Sequence, residues 1–141
     1  MPKPADKMRV IEKVALAVFK DKKLMMVRDN KNDVVFYSVG GKVEPGETDE
    51  KCLIREVKEE LAVDLEQGSI KFLKEFEASA HDKKDALLVL RLYEAKIIGS
   101  PKPTDEIVEI DYFDSSTDSS RLSEMGKDHI IPWLKKHGYI S

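Results

Sequence analysis

Cysteine is almost absent from this chain: Cys52 is the one copy in 141 residues, so an intramolecular disulfide is impossible and burial must hold the fold together. No apolar run approaches the roughly 20 residues that a membrane-crossing helix needs. The N-terminal stretch MPKPADKMRV carries no apolar segment of the kind a secretory leader has. These absences make the cytoplasm the expected compartment and leave membrane insertion unexpected. An excess of one charge is missing too. Lys and Arg number 24 against 27 Asp and Glu, the formal net charge is -3, and the two signs are interspersed. Without a basic block or an aromatic-basic stripe, duplex nucleic acid is not an expected ligand.

What is present suits one globular domain. Hydrophobic residues make up 41% and charged residues 36%, away from the composition that keeps chains disordered. A chain of this length buries roughly two-thirds of the surface its unfolded form exposes. Residues 1–8, with Pro2, Pro4 and charges at Lys3, Asp6 and Lys7, read as a loose arm. Residues 9–141 read as a single domain without internal repeats.

Val10 to Phe19 and Lys23 to Val27 are rich in β-branched and apolar residues and flank Asp21-Lys22, which predicts a hairpin. Val34 to Val39 is expected to be a third strand. The segment from Gly40 to Gly46 holds Gly40, Gly41, Pro45 and Gly46 and reads as a structured loop. A helix should follow, with Thr48 as N-cap, Asp49 and Glu50 in its first turn, and helix formers to about Leu61. Three further strands are expected, at Ile70 to Ala80, Ala86 to Ile98 and Ile107 to Phe113. The polar segment Asp114 to Ser120 reads as a loop. A C-terminal helix should dock through Ile130, Ile131, Trp133 and Leu134 and end near His137, with Gly138 as its stop. This order predicts an α+β or α/β sandwich with a mixed sheet.

Chemistry concentrates in ETDEKCLIREVKEELAV, Glu47 to Val63. On a helix, spacings of three and four bring Glu56, Glu59 and Glu60 to one face. Leu53, Ile54, Val57 and Leu61 form a separate apolar stripe that would anchor the helix. Most Glu-rich helix faces are simply solvated. Here Glu56 and Glu60 form a like-charge i,i+4 pair, and Arg55 is the one cation able to reach Glu59 at that spacing. Carboxylates with too few counter-charges suit a hard divalent cation, which binds oxygen and keeps several waters. His81, His129 and His137 are scattered and form no nucleophile-base arrangement. Cys52, inside the helix, reads as packing.

Gly41, five residues, Glu47, seven residues, then Arg55-Glu56-Val57-Lys58-Glu59-Glu60-Leu61-Ala62-Val63 resembles the Nudix box, with one departure: Ala62 stands where the family has glycine. The flanking order of strands and helices is similar to the Nudix α/β/α sandwich. The resemblance implies a hydrolase that uses Mg²⁺, with Mn²⁺ as an alternative, to cleave a diphosphate linkage. It implies Glu59 and Glu60 as metal ligands, with Glu56 as a further ligand or as the base that activates water. Arg55 would orient the carboxylates, and a carbonyl of Gly40 or Gly41 would complete the metal site. Glu47 is expected to be an outer partner of the helix or of Arg55. Some members recruit a later glutamate, for which Glu106 is the candidate and Glu77 and Glu109 are weaker ones. Phe36 and Tyr37 are candidates for stacking on a base, against the alternative that both are core.

The expected substrate is a small nucleotide, first a nucleoside triphosphate, oxidised or not, released as monophosphate and pyrophosphate. Nucleotide sugars, ADP-ribose and a non-catalytic nucleotide-sensing role are the alternatives. The chain would act as a monomer or homodimer.

Overall fold

The computed structural model describes residues 9–79, 86–104 and 106–141. The expected N-terminal arm, the end of one expected strand at Ala80, His81 and Asp105 lie outside the described residues. Among those described, no helix is long and apolar enough to cross a membrane.

The first strand, β1 (Arg9–Ala17), leads into the short strand β2 (Phe19–Lys20), which turns tightly onto β3 (Lys23–Asp29). Asp21 and Lys22 form the turn with φ values of 52° and 62°, the left-handed pair that a two-residue hairpin requires. The expected hairpin is therefore present, with Phe19 opposite Leu24. No strand runs from Val34 to Val39. Phe36 and Tyr37 make isolated bridges to Leu122 and Val27, and regular pairing begins at β4 (Val39–Lys42). The glycine pair expected in a loop thus lies inside a strand, with Gly40 opposite Ala15 and Gly41 opposite Val14. A Cβ on Gly40 would lie 2.0 Å from the Val14 carbonyl oxygen, so this close pairing requires glycine.

Helix α1 (Asp49–Leu61) and the short β5 (Asp64–Leu65) follow, then the long strands β6 (Lys71–Ser79) and β7 (Ala86–Glu94). The expected strand from Ala86 to Ile98 is two strands, because pairing changes partner at Ala95-Lys96. β7 lies between β1 and β6, whereas β8 (Ile97–Ile98) pairs with β5. Strand β9 (Ile107–Phe113) pairs with β3. A π-helical turn at Gly126–Ile130 runs into helix α2 (Ile131–Lys136), and Gly138 follows with φ of 78°.

β1 runs parallel to β7 and antiparallel to β4, so the four-stranded sheet β4-β1-β7-β6 is mixed. Side chains alternate across the strands and define two cores. Val14, Leu16, Met25 and Val27 pack with Leu53, Val57 and Leu61 of α1. Ala15, Ala17, Leu24 and Met26 pack with Ile130, Ile131 and Leu134 at the C-terminus. Both faces of β1 and β3 are thereby covered by helix, which is the expected α/β/α sandwich with a mixed sheet. On α1 the buried residues are Cys52, Leu53, Val57 and Leu61. Ile54, expected in that stripe, is exposed, because the centre of the buried face lies one position earlier and Cys52 fills it. Burying each large apolar side chain of α1 contributes about 1.5–3 kcal/mol, which anchors the helix and its acidic edge.

Candidate active site

Both ends of α1 are tied down. Thr48 Oγ1 accepts a hydrogen bond from the Lys51 amide at 3.2 Å, so the expected N-cap is present. Asp49 accepts from Arg91 Nε at 2.6 Å, from Arg91 Nη2 at 2.9 Å and from the Tyr93 hydroxyl at 2.6 Å. This forked grip fastens the first turn to β7 and, led by the Arg91 hydrogen bonds, holds the Asp49 carboxyl below the ordinary range. At the other end Ala62 takes the left-handed conformation, φ 57° and ψ 36°, with its amide donating to the Lys58 carbonyl. The terminal carbonyls of Glu60 and Leu61 accept from the Thr104 and Lys102 amides at 3.0 and 2.9 Å, and the Thr104 hydroxyl donates to the Glu59 carbonyl. A fixed helix presents its acidic side chains at fixed positions.

Arg55 gathers those acids. Its Nε and Nη2 donate to the two oxygens of Glu47 at 2.7 and 2.9 Å. Its Nη1 donates to Glu56 at 3.1 Å and to Glu59 at 3.4 Å. One guanidinium therefore touches three carboxylates. The Arg55 hydrogen bond is the main reason that the Glu47 carboxyl is lowered to about 2. Glu47 also accepts from the Glu44 amide at 3.0 Å, closing the turn before the helix.

The glycine pair forms the opposite wall. The Gly40 amide donates to Glu60 Oε1 at 3.2 Å. A Cβ on Gly41 would fall 1.7 Å from Glu56 Oε2, so the missing side chain is what lets this carboxylate sit against β4. Glu56 is withdrawn from water, with 14% of its side chain exposed against 48% for Glu59. Burial is the main cause of its raised carboxyl pKa, which Arg55 partly offsets. Cys52 is fully buried beneath this wall, where burial pushes its thiol up to about 12 and keeps it inert.

Beside Gly40 and Gly41 lies a cleft of about 470 Å³ whose wall also includes Asp29 and Tyr37. Burial, then the neighbouring Asp29 carboxylate, raises the Tyr37 phenol, and the charges of Glu60 and Glu106 add to the effect. Glu106 is paired with Lys31, whose Nζ lies 3.6 Å from its carboxylate. Phe36 is elsewhere: it is 2% exposed, packs on Phe113 at 4.9 Å and lies under the Arg121 guanidinium. Its ring faces are occupied by the core, while Tyr37 borders the cleft. Glu109 is paired with Arg28 at 3.0 Å, and Glu77 lies on β6 opposite Val89.

Sequence reasoning missed Asp29 and Ser38. Ser38 lines the cleft, and its hydroxyl is buried without a hydrogen-bond partner among the described residues, an arrangement that costs about 1–3 kcal/mol. An Asp at a strand end and a Ser before a glycine pair carry no signal until the fold brings them to one cleft.

Among the described residues, no three His, Cys, Asp or Glu side chains already converge as a metal cage. The donor chemistry still fits a hard cation, since the groups here are carboxylate and carbonyl oxygens and Gly41 keeps a cradle that a Cβ would fill. Mg²⁺ typically takes one or two carboxylates, several waters and substrate phosphates, so it does not require a full protein cage.

The family model described as the NUDIX domain matches residues 11–134, and the chain belongs to the Nudix family. No curated protein sequence matches it. Several solved structures share the fold. The MutT NUDIX hydrolase from Burkholderia pseudomallei is 19% identical with a TM-score of 0.71, over 91% of this chain and 97% of that one. A UDP-X diphosphatase is 20% identical with a TM-score of 0.74, over 92% of this chain and 64% of that one. A variant of a Bacillus subtilis pyrophosphohydrolase is 27% identical with a TM-score of 0.65, over 92% of this chain and 84% of that one.

Proposed function

We propose that the protein is a divalent-cation-dependent hydrolase that cleaves the diphosphate linkage of a nucleoside triphosphate, releasing monophosphate and pyrophosphate. The observation that carries this reading is Arg55, anchored by Glu47 just before α1, holding Glu56 and Glu59 on one edge of the helix across from Gly40 and Gly41. Glu56, Glu59 and Glu60, with a carbonyl of Gly40 or Gly41, are the groups that would hold Mg²⁺ or Mn²⁺. When bound, the cation supplies neutralisation of the phosphate oxygens and a lowered pKa for a coordinated water.

The chain's own residues supply the rest. Arg55 fixes the carboxylates in position, and Glu47 fixes Arg55. Glu56 is either a ligand or the acceptor of the proton from the attacking water, and Glu106 is the further candidate for either role. The cleft beside the glycine pair is within the size range of small-molecule sites and would take the nucleoside.

The likeness to a MutT NUDIX hydrolase across nearly the full length of both chains fits a small member without an added domain, for which a nucleoside triphosphate is the first substrate to test. The likeness to a UDP-X diphosphatase keeps nucleotide-sugar and ADP-ribose hydrolysis as the second reading. Incubating the protein with Mg²⁺ and a panel of nucleoside triphosphates, nucleotide sugars and ADP-ribose decides between them. Pyrophosphate release from a triphosphate is the expected result. Turnover of ADP-ribose or a nucleotide sugar with every triphosphate untouched overturns the triphosphate assignment, and no turnover at all overturns the hydrolase reading.

A further inference from the structure

Asp29 has a place in the cleft that the proposed hydrolysis does not use. It ends β3, where the pairing with β9 slips between Arg28 and Asp29. Such an irregularity turns a side chain away from the direction strict alternation would give it, and is enriched next to active sites. Here it leaves the Asp29 carboxylate at the cleft wall, beside the Tyr37 hydroxyl. The Lys31 amide donates to Asp29 Oδ1 at 3.0 Å and fixes the side chain.

An ionised carboxylate has about four lone-pair positions and accepts only. The Lys31 amide and the Tyr37 hydroxyl take part of that capacity, and Asp29 lines the cleft with the rest. Val14, Ala15, Leu88, Leu90 and Met125 supply the apolar remainder of its lining. Lys13 is the cation of the lining, whereas the Asp29 carboxylate itself repels phosphate in the absence of an intervening cation. What suits it is a neutral group that offers hydrogen-bond donors and has an apolar face. The nucleoside part of a nucleotide has both.

We propose that Asp29 is a specificity residue that accepts two adjacent hydrogen bonds from the nucleoside of the substrate. Two sources present such a donor pair: the ring N–H and exocyclic amino group of a guanine-type edge, and the vicinal hydroxyls of ribose. Adenine, whose amino group stands next to a ring acceptor, cannot offer the base-edge pair. Asp29 is half-buried, and a bound nucleoside that covered it would leave it without water, so analogues that fail to pair with it are penalised. This inference rests on the nucleotide reading above.

The test is calorimetric binding of three monophosphates, with Mg²⁺ present, to the wild-type protein and to Asp29→Asn. The ligands are GMP, IMP, which lacks the exocyclic amino group, and 2′-deoxyGMP, which lacks the vicinal diol. GMP should bind the wild-type protein at least about tenfold more tightly than one analogue: IMP if the base edge is read, 2′-deoxyGMP if the diol is read. Asp29→Asn should bring that ratio to about twofold or less, since an amide offers one acceptor and turns a donor towards the second hydrogen. Asp29→Ser, which keeps an acceptor for the Lys31 amide, is the second variant should the first lose its thermal transition. A ratio unchanged in the variant, or a wild-type protein that distinguishes neither analogue, overturns the inference. Discrimination that depends on Asp29 in a protein that turns over no nucleotide leaves the inference standing and removes the hydrolase reading. Turnover with discrimination independent of Asp29 does the reverse.

Discussion

Arg55 grips Glu47 through two parallel hydrogen bonds, Nε to Oε2 at 2.7 Å and Nη2 to Oε1 at 2.9 Å, while its third nitrogen faces Glu56 and Glu59. The guanidinium plane is thus set by a residue that lies before the helix, and the acids on the helix are positioned through it. Lysine has no planar fork and cannot repeat this arrangement. Arg55→Lys and Glu47→Gln should each lower kcat/KM by about 10–100-fold, the usual cost of losing an outer partner of a metal site. Steady-state kinetics with saturating Mg²⁺ checks this, and near-wild-type rates for both variants would remove the positioning role.

The two glycines of β4 should fail in different ways. Gly40→Ala places its Cβ 2.0 Å from the Val14 carbonyl oxygen at a φ of 145°, where backbone cannot give way cheaply. It should destabilise the fold by about 1–3 kcal/mol in urea denaturation. Gly41→Ala meets only the end of the flexible Glu56 side chain, with its Cβ 1.7 Å from Oε2. Glu56 must swing away, so activity should fall while the denaturation midpoint stays near that of the wild type.

Ala62 occupies a left-handed position at the end of α1, where a Cβ costs roughly 1–2 kcal/mol. Ala62→Gly recovers part of this and loses part to the greater freedom of glycine in the unfolded chain. The expected net gain is about 0.5–1 kcal/mol, or roughly 2–4 °C in Tm for a domain of this size. Activity should change little, since no functional side chain is altered. A lowered Tm would contradict the strain inferred at this residue.

Acid should weaken the fold through Glu47 and Asp49. Arg55 lowers the Glu47 carboxyl to about 2, and Arg91 and Tyr93 lower that of Asp49. The folded state therefore binds these protons less readily than the unfolded state, and stability rises with pH between the two pKa values. The contribution is fully present above the unfolded range of about 4 and is lost as pH falls through the folded values. Urea midpoints should be flat from pH 7 to about 5 and fall steadily below 4. Asp49→Asn should make the acid-side slope shallower, and an unchanged slope would contradict this account.

The helix and its acids were legible in the sequence because their order is local. Thr48, the apolar positions Leu53, Val57 and Leu61, and the spacing of Arg55, Glu56, Glu59 and Glu60 set the capped element and its acidic edge. The two-residue turn at Asp21-Lys22 was legible for the same reason. Less so was anything decided by a partner strand. Gly40 and Gly41 look like loop residues until β1 pairs with them, and the run from Ala86 to Ile98 looks continuous until its pairing switches at Ala95. Phe36 and Tyr37 are neighbours in sequence, yet the first is sealed against Phe113 and the second borders the cleft. Asp29 reaches that cleft through a slip in strand pairing, which single-sequence patterns do not reveal.

The central claim is that the acidic edge of α1 holds a divalent cation where a diphosphate can reach it. Calorimetric titration of Mn²⁺ into the wild-type protein, Glu59→Gln and Glu60→Gln tests it directly, with thermal melts confirming that the variants are folded. The account predicts saturable uptake by the wild-type protein and at least about tenfold weaker uptake by each variant. No uptake by the wild-type protein, or equal uptake by all three, would contradict it.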